Sequence, residues 1–195
     1  SSGEARLGYA TDLGSTNGTL LDGVPVVEAW MREGSVLRLG DSVLRFGLLG
    51  GKNALIVLDD VIPEKAASAS VFGCFSSMGQ CCVSIERIYV HESVADAFTA
   101  SFVRRVDALV QGSALDFSTD MGSLTSAAQL DRVRTHVEDA VAKGATVLAG
   151  GKARPDLGPF FFEPTVLSGV TSEMSCFADE TFGPVVAIHR FEAEA

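Results

Sequence analysis

No apolar run in the 195 residues approaches the roughly 20 that a membrane-spanning helix needs, so the sequence predicts no bilayer span. The opening Ser1-Ser2-Gly3-Glu4-Ala5-Arg6 lacks the basic stretch and apolar core of a secretory signal. Cysteine is sparse: Cys74, Cys81, Cys82 and Cys176 are too few for a disulfide scaffold, which predicts a cytoplasmic protein with free thiols. Positive charge is scarce too. Lys+Arg 15 against Asp+Glu 25 leaves a net charge of -10, and that field repels phosphate backbones and anionic lipid, so neither nucleic acid nor a membrane is an expected partner. No Cys-x-x-Cys occurs and His91, His136 and His189 fall outside ligand spacing, so no metal site is expected. What remains is 47% hydrophobic and 21% charged, enough to bury a core.

That core is written in two grammars. Up to residue 48 the chain reads as short strands, Thr19-Leu20-Leu21, Val24-Pro25-Val26-Val27, Ser35 to Leu39 and Ser42 to Phe46. They are separated by Asn17-Gly18, Asp22-Gly23, Glu33-Gly34 and Gly40-Asp41. Asn-Gly and Asp-Gly accept the positive φ of tight hairpin turns, which predicts an antiparallel meander. From residue 49 to 195 strands alternate with helices. Ala54 to Leu58 is a continuous apolar strand, and Pro63 opens a helix through Ala66, Ala69, Val71 and Phe72. A strand follows at Arg87 to Val90. Ser93 with Asp96 then caps a helix striped by Val94, Phe98, Phe102, Val106 and Leu109. Ser126 with Gln129 starts another, striped by Leu130, Val133, Val137 and Val141, stopped by Gly144 and followed by strand Ala145 to Leu148. The tail, through Phe160-Phe161-Phe162 and Val185 to Ile188, returns to strands. Repeated βα units predict an α/β fold, a mostly parallel sheet with flanking helices, preceded by a small antiparallel β segment.

Asp12-Leu13-Gly14-Ser15-Thr16-Asn17-Gly18-Thr19 with Leu37-Arg38-Leu39-Gly40-Asp41 resembles the second half of a forkhead-associated domain, a β-sandwich family that binds phosphothreonine peptides. The resemblance implies half such a sandwich and gives Ser15, Thr16 and Asn17 a place beside a phosphothreonine peptide. Residues 1 to 11 lack the Gly-Arg and Ser-x-x-His segments from which that family grips the phosphate. Without the resemblance, Asn17-Gly18 is a turn chosen for its backbone geometry.

From Leu49 to Phe191 the sequence resembles the catalytic domain of aldehyde dehydrogenases. The residues that carry this are Leu49-Gly50-Gly51-Lys52-Asn53, Phe75-Ser76-Ser77-Met78-Gly79-Gln80-Cys81-Cys82, Glu86-Arg87, Met121-Gly122 and Glu180-Thr181-Phe182-Gly183-Pro184-Val185. The stretches Met121 to Thr125 and Ala149 to Pro159 look most like the succinate-semialdehyde dehydrogenase branch. The resemblance implies a small aldehyde as substrate, NAD or NADP as cofactor, and Cys82 as the nucleophile, a thiolate being suited to acyl transfer. It also implies that Glu180 holds the nicotinamide ribose, that Phe182 packs beside the nicotinamide, and that Leu49 and Gly50 lie where the backbone approaches the ring. Cys81 is expected to pack. Glu180 and Phe182 also have a plain reading, a surface acid and a core aromatic.

The departures from the family pattern are chemical. The Glu that precedes Leu-Gly-Gly in that family, the general base for thioester hydrolysis, is Leu48 here, which cannot accept a proton. No Gly-x-Gly-x-x-Gly or equivalent phosphate-binding turn occurs. The sequence ends before the family's final strands and oligomerisation hairpin, and the uncovered edge this implies favours a homo-oligomer. The expectation is therefore a fusion in which a catalytic-domain fragment oxidises an aldehyde in the family's manner but does not turn over alone. The alternative is a phosphothreonine-peptide-binding or purely structural module without catalysis.

Overall fold

The computed structural model describes strand backbone within residues 6–45, and describes residues 52–113 and 118–192 with their side chains. The chain divides between Leu49 and Gly50 into two compact units, the second running to Phe191.

In the first unit the strands are β1 (Arg6–Thr11), β2 (Thr19–Leu21), β3 (Val24–Val26), β4 (Glu28–Arg32), β5 (Val36–Leu39) and β6 (Ser42–Arg45). β2, β3, β5 and β6 form one antiparallel sheet in the order β3-β2-β5-β6, as the turn residues predict. β1 and β4 make a separate antiparallel pair that the turn signals do not announce, with Tyr9 opposite Trp30.

The second unit is an α/β layer structure. Its sheet has the order β7-β8-β11-β10-β9, built from β7 (Asn53–Val57), β8 (Ile85–His91), β9 (Thr146–Ala149), β10 (Thr165–Ser168) and β11 (Val185–Phe191). β7, β8, β11 and β10 run parallel, and β9 pairs antiparallel with β10. The mostly parallel sheet is thus as predicted. Phe160 to Phe162 is not a strand; Phe162 makes only an isolated bridge to Ala153, while β10 takes the expected place in the sheet.

The helices are α1 (Pro63–Phe75), α2 (Glu92–Asp107), α3 (Ala127–Ala142) and the single turn α4 (Ser175–Ala178). Pro63 opens α1 as expected, since its fixed φ and missing N–H suit a first turn. α1 buries Ala67, Ser70, Cys74 and Phe75, and Phe72, expected on the inner stripe, is 78% exposed. The N-cap of α2 is His91 rather than Ser93: the Ser93 N–H donates to His91 Nδ1 at 3.3 Å. α3 is capped as predicted, with the Gln129 N–H donating to Ser126 Oγ at 3.2 Å, and it ends before Gly144 at φ +100°. Its inner stripe is Val133, His136, Val137 and Ala140, because His136 takes the face that the apolar pattern assigned to Val141.

α1 and α2 pack on one another and on β8, and α2 reaches β11 and β9. The centre of this core is aromatic. Phe98 and Phe102 are fully buried and stack at 5.6 Å, with Phe75 at 6.1 Å from Phe102. Each such ring contributes about 1.5–3 kcal/mol by leaving water. Among the connections of this unit, the α1–β8 loop and the α4–β11 turn hold the residues that the family resemblance singles out.

Candidate active site

Cys82 lies in the α1–β8 loop, which begins with strained backbone. A 3-10 turn at Ser76–Gly79 has Ser77, Met78 and Gly79 at φ +52°, +61° and +67°, a conformation costly for residues that carry a Cβ. Gly79 is needed for another reason as well. A Cβ there would stand 2.3 Å from the Gly183 carbonyl oxygen, so the loop backbone lies directly on the α4–β11 turn.

Beyond Gly79 the loop is tied at intervals. The Gln80 side-chain oxygen accepts from the Thr125 N–H at 2.9 Å, and the Ser84 N–H donates to the Cys81 carbonyl at 2.9 Å. Asn53, the first residue of β7, donates from its amide to the carbonyls of Cys82 at 2.6 Å and Ser84 at 3.1 Å. The Ser84 hydroxyl donates to the Cys74 carbonyl at 3.0 Å. The Cys82 side chain stands exposed on this fixed backbone. Cys81, expected to pack, is exposed too, because the loop's inward contacts are made by Gln80 and Ser84. Cys74 and Cys176 are buried, and burial pushes both thiols up from their ordinary value, leaving them inert.

The α4–β11 turn carries Glu180 and Phe182, both half-buried. Its backbone groups are bound almost completely by side chains from distant elements. The Glu86 carboxylate accepts the N–H of Thr181 and of Phe182, each at 3.0 Å, one on each oxygen. Gln129 donates to the carbonyls of Thr181 at 2.8 Å and Phe182 at 2.7 Å, and Arg132 donates twice to the Glu180 carbonyl, at 3.0 and 2.6 Å. Phe182 sits at φ +52°, a strained value that these bonds over-determine. Behind the turn, His136 Nδ1 lies 3.0 Å from the Thr181 hydroxyl; burial first, then the Arg132 and Lys52 cations, holds its pKa below the usual imidazole value.

Glu86 is itself buried and paired. Lys52 Nζ lies 2.5 Å from its Oε2, the two side chains being 2% and 3% exposed. Sequence reasoning singled out neither residue as functional, although the signal is there: Glu86-Arg87 interrupts an otherwise apolar strand, and charged residues are almost never fully buried unless paired. Gln129 and Arg132 carry no such signal, since they read as the polar face of an amphipathic helix.

The structure therefore sets the loop that carries Cys82 against the turn that carries Glu180 and Phe182, through the Gly79–Gly183 contact. Leu48, Leu49 and Gly50 lie outside the described residues, as do Ser15, Thr16 and Asn17. No helix among the described residues is long and apolar enough to cross a membrane.

Comparison with known proteins extends this picture. Residues 45–195 match the aldehyde dehydrogenase family. A Mycobacterium ulcerans protein provisionally named succinate-semialdehyde dehydrogenase (NADP(+)) 2 is 56% identical over 78% of this chain and 30% of its own length. The crystal structure of succinate-semialdehyde dehydrogenase from Burkholderia pseudomallei superposes with a TM-score of 0.69 at 38% identity, over 73% of this chain and 30% of that one. Betaine aldehyde dehydrogenase from Staphylococcus aureus, solved in complex with NAD+, also gives a TM-score of 0.69, at 36% identity over 73% of this chain and 29% of that one. The chain thus spans under a third of the length of these relatives. With its sheet, its Gly-Gln-Cys-Cys loop and its Glu-Thr-Phe-Gly-Pro turn in this arrangement, the chain belongs to the aldehyde dehydrogenase family.

Proposed function

We propose that the unit from Gly50 to Phe191 is the nucleophile-bearing part of an NAD(P)-dependent aldehyde dehydrogenase, with a small aldehyde of the succinate-semialdehyde type as substrate. The observation that carries this reading is the exposure of Cys82 on a backbone pinned against the Glu180–Phe182 turn. The Mycobacterium and Burkholderia relatives support the substrate class, and the NADP(+) in the former's name supports that cofactor.

Cys82 as thiolate adds to the aldehyde carbonyl, forming a carbon–sulfur bond and a tetrahedral oxyanion. Asn53 fixes the loop backbone around Cys82 through the Cys82 and Ser84 carbonyls, and the Cys82 N–H is the donor proposed for the oxyanion. The turn suits the nicotinamide end of the cofactor. Its backbone groups are bound inward, which leaves the Glu180 carboxylate to accept from ribose hydroxyls and the Phe182 ring to offer an apolar face. A bound nicotinamide would supply the hydride acceptor, and Cys82 would then carry the thioester. Hydrolysis of that thioester needs a general base, and Leu48 supplies none, so the chain alone stalls as the acyl-enzyme.

Two measurements test this. Alkylation of each cysteine, mapped by mass spectrometry, is expected to find Cys82 reacting selectively. Cys81, equally exposed and adjacent, is the internal control; equal rates for the two would sink the reading. Mixing with a nitrophenyl ester is expected to release a burst of nitrophenol equivalent to the protein and then stop, and Cys82→Ser should abolish the burst.

A further inference from the structure

Lys52 and Glu86 carry two opposite charges into the interior, at 2% and 3% exposure. Desolvation makes such a pair a poor device for stability, because well-packed apolar residues of the same volume commonly do as well. What an apolar pair could not do is bind two consecutive amides of a strained turn. Glu86 does this with one oxygen for Thr181 and one for Phe182, and Lys52 holds the carboxylate in place from behind. The next residue, Asn53, holds the carbonyls of Cys82 and Ser84. Adjacent residues at the head of β7 thus address the two halves of the site.

We propose that Lys52 and Asn53 act as a gauge that sets the spacing between Cys82 and the Glu180–Phe182 turn, with Glu86 as the positioning residue through which Lys52 reaches the turn. The proposal rests on the cofactor reading above for what the turn does, and on geometry alone for how the turn is held. Gln129 and Arg132 grip the same turn by its carbonyls from α3, so the turn is fixed from both sides. Losing the Glu86 fork frees its amides without removing it from the fold.

The test uses the whole chain and four variants: Glu86→Gln, Lys52→Met, the double variant Lys52→Met/Glu86→Gln, and Lys52→Arg. Glu86→Gln leaves the Lys52 ammonium unpaired, and Lys52→Met leaves the Glu86 carboxylate so; the double variant removes both charges and keeps the experiment meaningful if either single variant fails to fold. Site-resolved amide exchange is the first readout. In the double variant the amides of Thr181 and Phe182 are expected to exchange about ten-fold faster, while those of β8 and β10 keep their protection. The second readout is saturation transfer from the protein to the nicotinamide protons of millimolar NADP+. It is expected to fall several-fold in the double variant and to be kept in Lys52→Arg, a recovery that a merely packing role would not give.

Unchanged exchange at Thr181 and Phe182, or an equal rise throughout the sheet, overturns the proposal. So does full saturation transfer in the double variant. If the unaltered chain gives no transfer from NADP+ at all, the cofactor reading fails, and the exchange arm still decides the gauge.

Discussion

The two loops of the site are built in opposite ways. The Cys82 loop stores its shape in the backbone, with three successive residues at positive φ and a glycine pressed on Gly183. The Glu180–Phe182 turn has one strained residue, Phe182, and is held by side chains from β8 and α3. The difference follows from what each must present. On the proposed reading, a nucleophile needs exposure, so its loop is tied only from beneath, whereas a turn whose side chains are to meet a cofactor can be gripped through its backbone.

Removing the grip should have the largest effect. Glu86→Ala leaves the Lys52 ammonium buried without its carboxylate, and urea unfolding of the Gly50–Phe191 unit should show a loss of about 3–5 kcal/mol. Lys52→Met/Glu86→Leu should regain only part of it, since neither charge is then stranded but the Thr181 and Phe182 amides lose their acceptor; no recovery at all would mean that the stranded charge is not the source of the loss. Gly79→Ala attacks the other loop. It puts a Cβ 2.3 Å from the Gly183 oxygen at φ +67°, where backbone must move. The expected cost is about 2–3 kcal/mol, with faster amide exchange in both loops because they touch there. A neutral Gly79→Ala would show that the two loops are independent.

Gln129→Ala sharpens the comparison on the turn alone. It strips the carbonyls of Thr181 and Phe182 of a donor and should cost about 1–2 kcal/mol, leaving Cys82 alkylation unchanged. The smallest effect is that of pH. The folded pKa of His136 lies below its ordinary 6.5, as does that of His189, where burial is again the first cause. The unfolded chain therefore binds more protons as pH falls, and the stability that neutral imidazoles contribute is present above about pH 6.5 and lost below it. The melting temperature should decline from about pH 7 towards 5, and less steeply in His136→Asn. A melting temperature that rises on acidification would show that these imidazoles charge freely in the fold.

Much of the fold is legible in the sequence because its signals are local. The Ser126 cap, the Pro63 start, the Gly144 stop and the apolar run of β7 are each set by residues within a turn of one another. The misreadings share a cause. Phe72 and Val141 fit an inner stripe by periodicity but face solvent, while Ser70 and His136 are taken inside because partners await them: the Ser70 hydroxyl donates to the Ala66 carbonyl and His136 meets Thr181. The pairing of β1 with β4 has no local signal, because residues 12–27, with two strands of another sheet, lie between them and no turn joins them. For the site, the resemblance pointed to Cys82, Glu180 and Phe182; of the residues that hold them, Glu86 carries a local signal as a charge in an apolar strand, and Gln129 and Arg132 carry none.

By itself the sequence determined the class of the second unit and its parallel βα core, since these follow from periodicity and capping along adjacent stretches. Only the tertiary structure decided that Cys81 and Cys82 are exposed while Cys74 and Cys176 are buried, and what ties the loop that carries the first two. Glu86 meets Phe182 across 96 positions of sequence, and Asn53 meets Cys82 across 29. Contacts of that span are fixed by sheet order and helix packing, where burial makes an unpaired charge or amide costly enough to select one arrangement.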